Sequence, residues 1–448
     1  MALSEARTPQ PHPPFQRDCK VKILFITPGS GDGYYCGNCF RDNLQAQALH
    51  HSGHEVTIMP LYLPLNHIGS LRGNSPIFFP ATSFYVDQKL KGRAPRWLGR
   101  LLSARPLLGL ASSLSGTTSA GGMEGMTLSM IEGDDPAFLK GCAELVEYVR
   151  QEKPDVIQLS STLIIGIARE LKKAVDIPIV CSIQDEEVWL DGLEKQYADR
   201  AWNSITGYSR YVDRFITTSR YYADIAAIRM PGLPQPEIIY PGIETDRYST
   251  DSWPKDPTIG FFYRMNSLDG LDILADAFVL LKKRGSVPGL KLRIGGGFMS
   301  PDKRFMRKVR RTLKPYSDDV IIEEQYNWQR HPGFYRDITV LSNPLRFNEG
   351  VGLYLCEAFA AGRPAVEPAT GSFPEIMDGA GVTYGPNNPS SLADALERIL
   401  TDRQLFDRTS SRALELSRTR YSSSLTAISL TALYTSLLNK DVNSESDL

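Results

Sequence analysis

Short apolar runs alternate with helical segments along most of the chain. Val21 to Thr27 has the pattern of a buried strand and leads into a glycine-rich turn. A helical stretch from about Asn38 to Ser52 follows, and the next apolar run is Val56 to Met59. The same alternation continues with strand candidates at 154–157, 177–183 and 214–217. Strand–helix–strand units of this kind predict a parallel, doubly wound α/β sheet.

A second series of the same units begins after the stretch 240–257, which is rich in proline and aspartate. Thr258 to Tyr263 is its first strand candidate and Leu271 to Arg284 its first helix. Two Rossmann-like domains that face a cleft are the simplest arrangement. The predicted organisation is a disordered tail at 1–19, a first domain at 20–245, a linker at 246–257, a second domain at 258–420, a C-terminal helix at 421–438 and a tail at 439–448.

One segment, about 66–135, lacks clear alternation and is interpreted as an insertion in the first domain. Between Gln88 and Gly122 it contains several lysines and arginines and no acidic residue, and an apolar stripe precedes Pro106. Such a stripe packs on the domain while its arginines extend into water, or it lies on an anionic membrane. Packing is favoured, and peripheral membrane contact through about 88–110 is the alternative.

Composition excludes several classes of protein. With 50 basic and 51 acidic side chains, the charge indicates no nucleic-acid partner. No apolar run reaches the ~20 residues that span a bilayer, and Met1 to Asp18 is too polar for a secretory signal. Six cysteines in 448 residues do not form a disulfide framework, so a reducing cytoplasm is expected. The pair Cys36 and Cys39 could be redox-active or half of a zinc site, but a structural loop is favoured because no second such pair exists.

The densest chemical motif lies at residues 349–375. Glu349 precedes the glycine-spaced turn Gly350-Val351-Gly352-Leu353, and Glu357 follows eight positions after Glu349. Leu353 to Ala361 is predicted to be a helix that Gly362 caps. The turn therefore lies at a helix N-terminus, which favours an anion, whereas carboxylates suit sugar hydroxyls. A site for a diphosphate and hydroxyls together indicates a nucleotide-sugar.

With this motif, and with Gly371 to Glu375 after it, the chain resembles the retaining glycosyltransferases of family 4, the group 1 glycosyl transferases of GT-B fold. The resemblance runs from about Val21 to Leu437, and it implies that the C-terminal helix at 421–438 crosses back to the first domain. It implies a hexosyltransferase-like enzyme that takes its sugar from a nucleotide-sugar, for example a UDP-sugar, and needs no metal. It also implies that Glu349 lies beside the transferred sugar, and that the amides of 350–353 face sugar and diphosphate. Glu357 would hold the ribose hydroxyls.

The resemblance assigns further residues to the cleft. Arg264 is the cation for the diphosphate, with an ordinary structural salt bridge as its alternative, and Gly296 lies in a glycine turn near the nucleotide. Gly31 and Gly33 border the acceptor side. His331 is predicted to begin a helix and to be structural.

Two positions depart from the family pattern. Asp269 stands where a lysine usually helps to bind the diphosphate, and Gln184 stands where a histidine is common. The carboxylate of Asp269 would repel a diphosphate by about 1–4 kcal/mol. The prediction is thus a glycosyltransferase acting on a glycan, lipid or small-molecule acceptor. The alternatives are a degenerate relative that binds without turnover and, less favoured, a sugar-nucleotide epimerase.

Overall fold

The computed structural model describes residues 20–28, 37–61, 123–248, 252–325, 327, 330–350 and 352–445. Within these residues the chain forms two six-stranded sheets, and every pairing between their strands is parallel. The predicted α/β class with two Rossmann-like domains is confirmed. The strands are β1 (Lys22–Thr27), β2 (Glu55–Pro60), β3 (Val156–Leu159), β4 (Ile179–Ile183), β5 (Arg214–Thr217), β6 (Glu237–Ile238), β7 (Thr258–Phe262), β8 (Lys291–Gly295), β9 (Val320–Ile322), β10 (Val340–Leu341), β11 (Ala365–Pro368) and β12 (Gly381–Tyr384).

Helices connect the strands, because parallel neighbours need a crossover. Five of the twelve strands, β3, β4, β7, β10 and β11, are buried along their whole length, as expected when helices cover both faces of a parallel sheet. The α-helices are α1 (Gly37–His51), α2 (Glu124–Glu132), α3 (Pro136–Glu152), α4 (Gly166–Ala174), α5 (Glu186–Leu190), α6 (Lys195–Tyr208), α7 (Arg220–Arg229), α8 (Leu271–Arg284), α9 (Lys303–Leu313), α10 (His331–Arg336), α11 (Leu353–Ala360), α12 (Phe373–Met377), α13 (Pro389–Thr401), α14 (Arg403–Thr419) and α15 (Ser423–Glu445).

The strand order defines where each sheet can bind a ligand. The first sheet has the order β2-β1-β3-β4-β5-β6 and the second the order β12-β11-β10-β7-β8-β9. The chain reverses its direction across the sheet between β1 and β3, and again between β7 and β10. Ligands of open parallel sheets bind at such switch points, beyond the carboxyl ends of the strands.

The last helix joins the two halves. Ile243 and Ser422 form a parallel bridge at the crossing point. From there α15 packs against the first sheet, where Leu430 and Leu433 share a core cluster with Val21 and Ile23 of the β1 segment. The family resemblance led us to expect such a crossing helix.

The last helix extends further than the sequence predicts. The prediction of a disordered tail from Asn439 is wrong for the residues up to Glu445, because these are helical. The segment contains neither glycine nor proline, so nothing in it stops a helix that tertiary packing has already begun.

Several predictions fall on residues outside the described ranges. These are the N-terminal tail, Gly31 and Gly33, Val351, Cys36 with the Cys39 side chain, and the basic segment 88–122 with most of the insertion. Among the helices that the structure does describe, none has the length and apolarity to cross a membrane.

Candidate active site

The turn at 349–350 is packed directly against the first domain. The carbonyl oxygen of Gly350 accepts hydrogen bonds from the hydroxyls of Thr218 (2.9 Å) and Ser219 (3.1 Å), which follow β5. A Cβ atom at Gly350 would lie 2.4 Å from Asp185 Oδ1 and 2.9 Å from the Tyr222 ring. Glycine at 350 therefore permits the close approach of the two domains at this point.

Helix α11 begins and ends as its sequence predicts. Gly352 is its N-cap, with a left-handed φ of 58°, and the helix starts at Leu353. At the other end Gly362 is left-handed, and the N–H groups of Gly362 and Arg363 bond back to the carbonyls of Phe359 and Ala358 (2.9 and 2.8 Å). This is the Schellman motif. The predicted helix and its glycine cap are confirmed.

Glu349 is held by the segment that follows α11. Its carbonyl oxygen accepts a bond from the Ser372 N–H at 2.8 Å, and only 2% of the residue is exposed. Gly371 has a left-handed φ of 60°, and a Cβ there would lie 2.7 Å from the Glu349 nitrogen. The two parts of the motif, at 349–353 and 371–375, thus lie against each other in the fold.

Glu375 connects the two domains. Its carboxylate accepts the N–H groups of Arg220 (2.8 Å) and Tyr221 (2.9 Å) at the start of α7, and the hydroxyl of Tyr240 (2.8 Å). A carboxylate at a helix N-terminus satisfies free N–H groups and complements the helix dipole. Glu375 therefore acts as a clamp between α12 and the first domain, a role that its sequence position alone did not reveal.

Arg264 follows β7, at the switch point of the second sheet. Its guanidinium pairs with Asp302 at 3.1 Å, so the salt bridge weighed as the alternative is present. The adjacent glycine turn is required by sterics, because a Cβ at Gly296 (φ 107°) would lie 2.2 Å from the Tyr263 carbonyl oxygen. Arg264 and Gly296 are thus brought together, as the resemblance implies.

Asp269 lies in the same place, only 4% exposed. Burial raises the pKa of this carboxyl well above its usual range; Arg264 opposes the rise, while Glu349 and Asp302 add to it. Its Oδ2 atom has no hydrogen-bond partner within the described part of the chain. The position that departs from the family pattern is therefore located beside both Arg264 and Glu349.

Glu357 is enclosed by aromatic side chains. It is fully buried and accepts hydrogen bonds from the hydroxyls of Tyr248 (3.0 Å) and Tyr335 (2.6 Å), while His331 Nε2 lies 2.9 Å from its Oε2. The Phe262 ring stacks on His331 with centroids 4.5 Å apart. A ribose could reach Glu357 only if one of these donors moved. His331 does begin α10, as predicted.

The end of β4 supplies the facing wall. Gln184 is 6% exposed and its amide donates to the Ser160 carbonyl at 2.8 Å. Asp185 follows with a left-handed φ of 51°, a strained conformation for an aspartate. Burial raises the pKa of Asp185 well above its usual range, and Glu349 and Glu187 raise it further. The sequence allows the acidic run at 185–187 to line the acceptor pocket or, equally, to be a solvated helix start. In the structure Asp185 faces Gly350 of the second domain.

The other two acids of that run differ from Asp185. Glu186 is buried and accepts bonds from the Ser161 hydroxyl (3.0 Å) and the Thr162 N–H (3.0 Å), so it ties β4 to β3. Glu187 accepts the hydroxyl of Tyr222. Burial raises the pKa of Glu187 to about 7, and the bond from Tyr222 opposes that rise. The site thus has two structural acids behind one acid that faces the second domain.

Two family models match the chain. One, described as Glycosyltransferase Family 4, matches residues 130–247, and the other, Glycosyl transferases group 1, matches residues 256–402. The chain belongs to the group 1 glycosyltransferases. It is therefore an enzyme of the class that transfers sugars from nucleotide-sugar donors.

Among named relatives of this glycosyltransferase is the lipopolysaccharide core biosynthesis mannosyltransferase LpsB of Rhizobium meliloti. It is 24% identical over 255 residues, which cover 52% of this chain and 69% of LpsB. The D-inositol 3-phosphate glycosyltransferase of Corynebacterium aurimucosum is 27% identical over 191 residues, 37% of this chain and 43% of that enzyme.

Solved structures share the fold. Sucrose-phosphate synthase from Thermosynechococcus elongatus superposes with a TM-score of 0.67 at 15% identity, covering 94% of this chain and all of the other. Anabaena HepE in complex with UDP superposes with a TM-score of 0.64 at 15% identity, covering 93% of this chain and all of HepE. At these identities the likeness establishes the GT-B fold.

Proposed function

We propose that this glycosyltransferase is a retaining, metal-independent enzyme that transfers a sugar from a nucleoside diphosphate donor to a glycan, lipid or small-molecule acceptor. The observation that supports it is the convergence of Glu349, Arg264 and the N-terminal turn of α11 at one switch point. Gln184 and Asp185 of the first domain face them. Solved HepE holds UDP-glucose in one structure, so UDP-sugars are the first donors to test.

In this proposal the residues act by position and charge. The amides at the start of α11 and the Arg264 guanidinium stabilise the departing diphosphate, while Glu349 fixes the sugar. The bond between the anomeric carbon and the phosphate oxygen breaks, and the acceptor oxygen forms a bond on the same face. The acceptor's proton passes to the leaving phosphate, so no protein base is needed. The products are the glycoside and a nucleoside diphosphate.

The enclosed carboxylate of Glu357 supports one form of the second candidate, a degenerate relative without turnover that would bind a glycan but no nucleotide. Tyr248 and His331 occupy the atoms that would hold the ribose. If the side chains around Glu357 never move aside, the protein has no affinity for nucleotide. If they do move aside, Tyr248→Phe should tighten nucleotide binding, because one hydroxyl that competes with the ribose for Glu357 is removed.

The deciding experiment is calorimetric titration of the purified full chain with UDP, GDP and ADP in the presence of EDTA. Micromolar binding of one nucleotide would support a metal-independent donor site, and the absence of binding to all three would overturn it. Glu357→Ala should weaken that binding, whereas Glu349→Gln should leave it unchanged and reduce transfer. Glu415→Ala, at an exposed position of α14, is the matched control.

The stereochemistry needs a separate measurement. NMR of the glycoside formed from an α-linked donor should show an α-linked product. A β-linked product would refute retention while leaving the transfer reaction intact. Formation of an altered nucleotide-sugar without acceptor would instead indicate epimerisation.

A further inference from the structure

Helix α9, on the outside of the second domain, has an unusually basic surface. Residues 303–314 contain seven lysines and arginines and no acid. All seven are exposed: Lys303, Arg304, Arg307, Lys308, Arg310, Arg311 and Lys314. Only the opposite stripe, with Met306, Val309 and Leu313, is buried against the domain. The helix therefore presents a continuous cationic face to its surroundings.

The chain itself compensates little of this charge. Lys308 lies 3.8 Å from Asp272, and Arg310 pairs with Glu324. Within the described residues no ion pair is formed by the other five cations of the helix and its end. Asp272 is itself held by Arg346 at 2.7 Å. An external anion is thus the natural counter-charge.

Local helix stability does not account for these residues either. Lys303 and Arg304 stand in the first turn, where the positive end of the helix dipole disfavours cations. Arg304 lies three and four residues before Arg307 and Lys308, and Arg311 lies four and three residues after them, so like charges repel along the stripe. Repulsion of this kind is relieved when anions bind.

We infer that the basic face of α9 docks this enzyme on an anionic lipid bilayer. Arg304, Arg307, Lys308 and Arg311 line a concavity of about 320 Å³ that faces outward and offers several cations to a phosphate headgroup. The helix presents its cations over a length of about 16 Å. The exposed cations of α9 extend beyond this concavity in a row along the helix, which suits many headgroups in a plane rather than one enclosed phosphate, and such rows bind anionic membranes.

Docking at α9 would bring the bilayer close to the cleft. The helix begins immediately after Asp302, which pairs with Arg264 of the candidate active site at 3.1 Å. The inference rests on the charge and exposure of α9 and does not depend on the proposed reaction.

The test compares vesicles of phosphatidylcholine alone with vesicles that also contain phosphatidylglycerol, by co-sedimentation of the full chain at low salt. The triple variant Arg304→Gln/Arg307→Gln/Arg311→Gln should bind the anionic vesicles about a hundredfold more weakly than the unmodified chain, since each cation near such a surface contributes about fivefold. The control variant Arg398→Gln/Arg408→Gln/Arg418→Gln removes three exposed cations from α13 and α14 and should bind normally.

Every other pattern overturns the inference. It fails if the unmodified chain ignores anionic vesicles, if the α9 variant binds as well as the control, or if neutral vesicles bind equally. Retention on immobilised heparin without binding to vesicles would show that the face recognises a soluble polyanion instead. Thermal unfolding and nucleotide titration of both variants would establish that each is folded.

Discussion

The contact between Gly350 and the first domain offers the sharpest test of how the two domains meet. In Gly350→Ala, the new Cβ would lie 2.4 Å from Asp185 Oδ1. Ordinary contacts of a Cβ atom begin at 3.4 Å, so the domains must separate by roughly 1 Å or Asp185 must turn away. Separation would also stretch the bonds of 2.9 and 3.1 Å from Thr218 and Ser219.

The magnitude follows from these contacts. Overpacking costs about 1–3 kcal/mol, and each weakened hydrogen bond costs about 1 kcal/mol. We expect the free energy of unfolding to fall by about 3–5 kcal/mol. A shift of 1 Å between Glu349 and the facing wall should also lower kcat/KM by about a hundredfold. Gly350 has no left-handed φ, so backbone strain does not contribute.

The assay is guanidinium-induced unfolding together with transferase kinetics. Gly207→Ala is the matched control, because Gly207 lies in α6 with no atom within 4 Å of the added Cβ. That change should stabilise the protein by about 0.5–1 kcal/mol. Asp185→Ala combined with Gly350→Ala should restore about 1 kcal/mol of the loss, since it removes the closest clash.

An outcome in which Gly350→Ala unfolds and turns over like Gly207→Ala would contradict this contact. The domains would then not meet at residue 350 as the structure has it. Loss of activity without loss of stability would instead indicate that residue 350 contacts substrate and that the interdomain contact is weak.

Three further predictions concern single carboxylates. Glu375→Ala should cost about 2–3 kcal/mol of stability and make the interdomain boundary more susceptible to protease, because the N–H groups at the start of α7 lose a charged acceptor. Glu375→Gln should recover part of that stability. An equal loss of stability in both variants would show that the charge of Glu375 does not matter. Asp269→Lys should tighten donor binding about tenfold or more, since a cation beside Arg264 would attract the diphosphate. Asp269→Asn should bind the donor much as the unmodified chain does, because burial already favours the neutral form of this carboxyl; unchanged affinity in Asp269→Lys would place the diphosphate elsewhere. For Glu187, the folded pKa of about 7 lies above the unfolded value of 4.5, so its contribution is fully present below pH 4.5 and up to about 3 kcal/mol of stability is lost as the pH rises through 7. Glu187→Gln should flatten that decline in unfolding measured between pH 4 and 8, and an unchanged slope would refute the shift.

The pattern of apolar and polar residues is by itself sufficient to predict the α/β architecture. The apolar runs at 214–217 and the helix at 271–284 are found in the structure with the bounds that their patterns predicted. Fully buried parallel strands must be apolar on both faces, and helices between them must be amphipathic, so each element carries its own evidence. Helix α11 is equally predictable from the sequence, because Gly362 caps it and Pro364 prevents its continuation.

The electrostatics of the site came only from tertiary structure. Nothing in the sequence shows that Glu357 would be enclosed by Tyr248, Tyr335 and His331, which lie 109, 22 and 26 residues away from it. The same holds for Asp185, whose left-handed backbone and contact with Gly350 depend on how the two domains meet. A carboxylate in sequence has only a type and a position; its pKa and its partners are set by burial and by charges from distant segments. The chain thus encodes its sheets, helices and family motif locally, whereas the balance of charge in the cleft is a property of the packed domains.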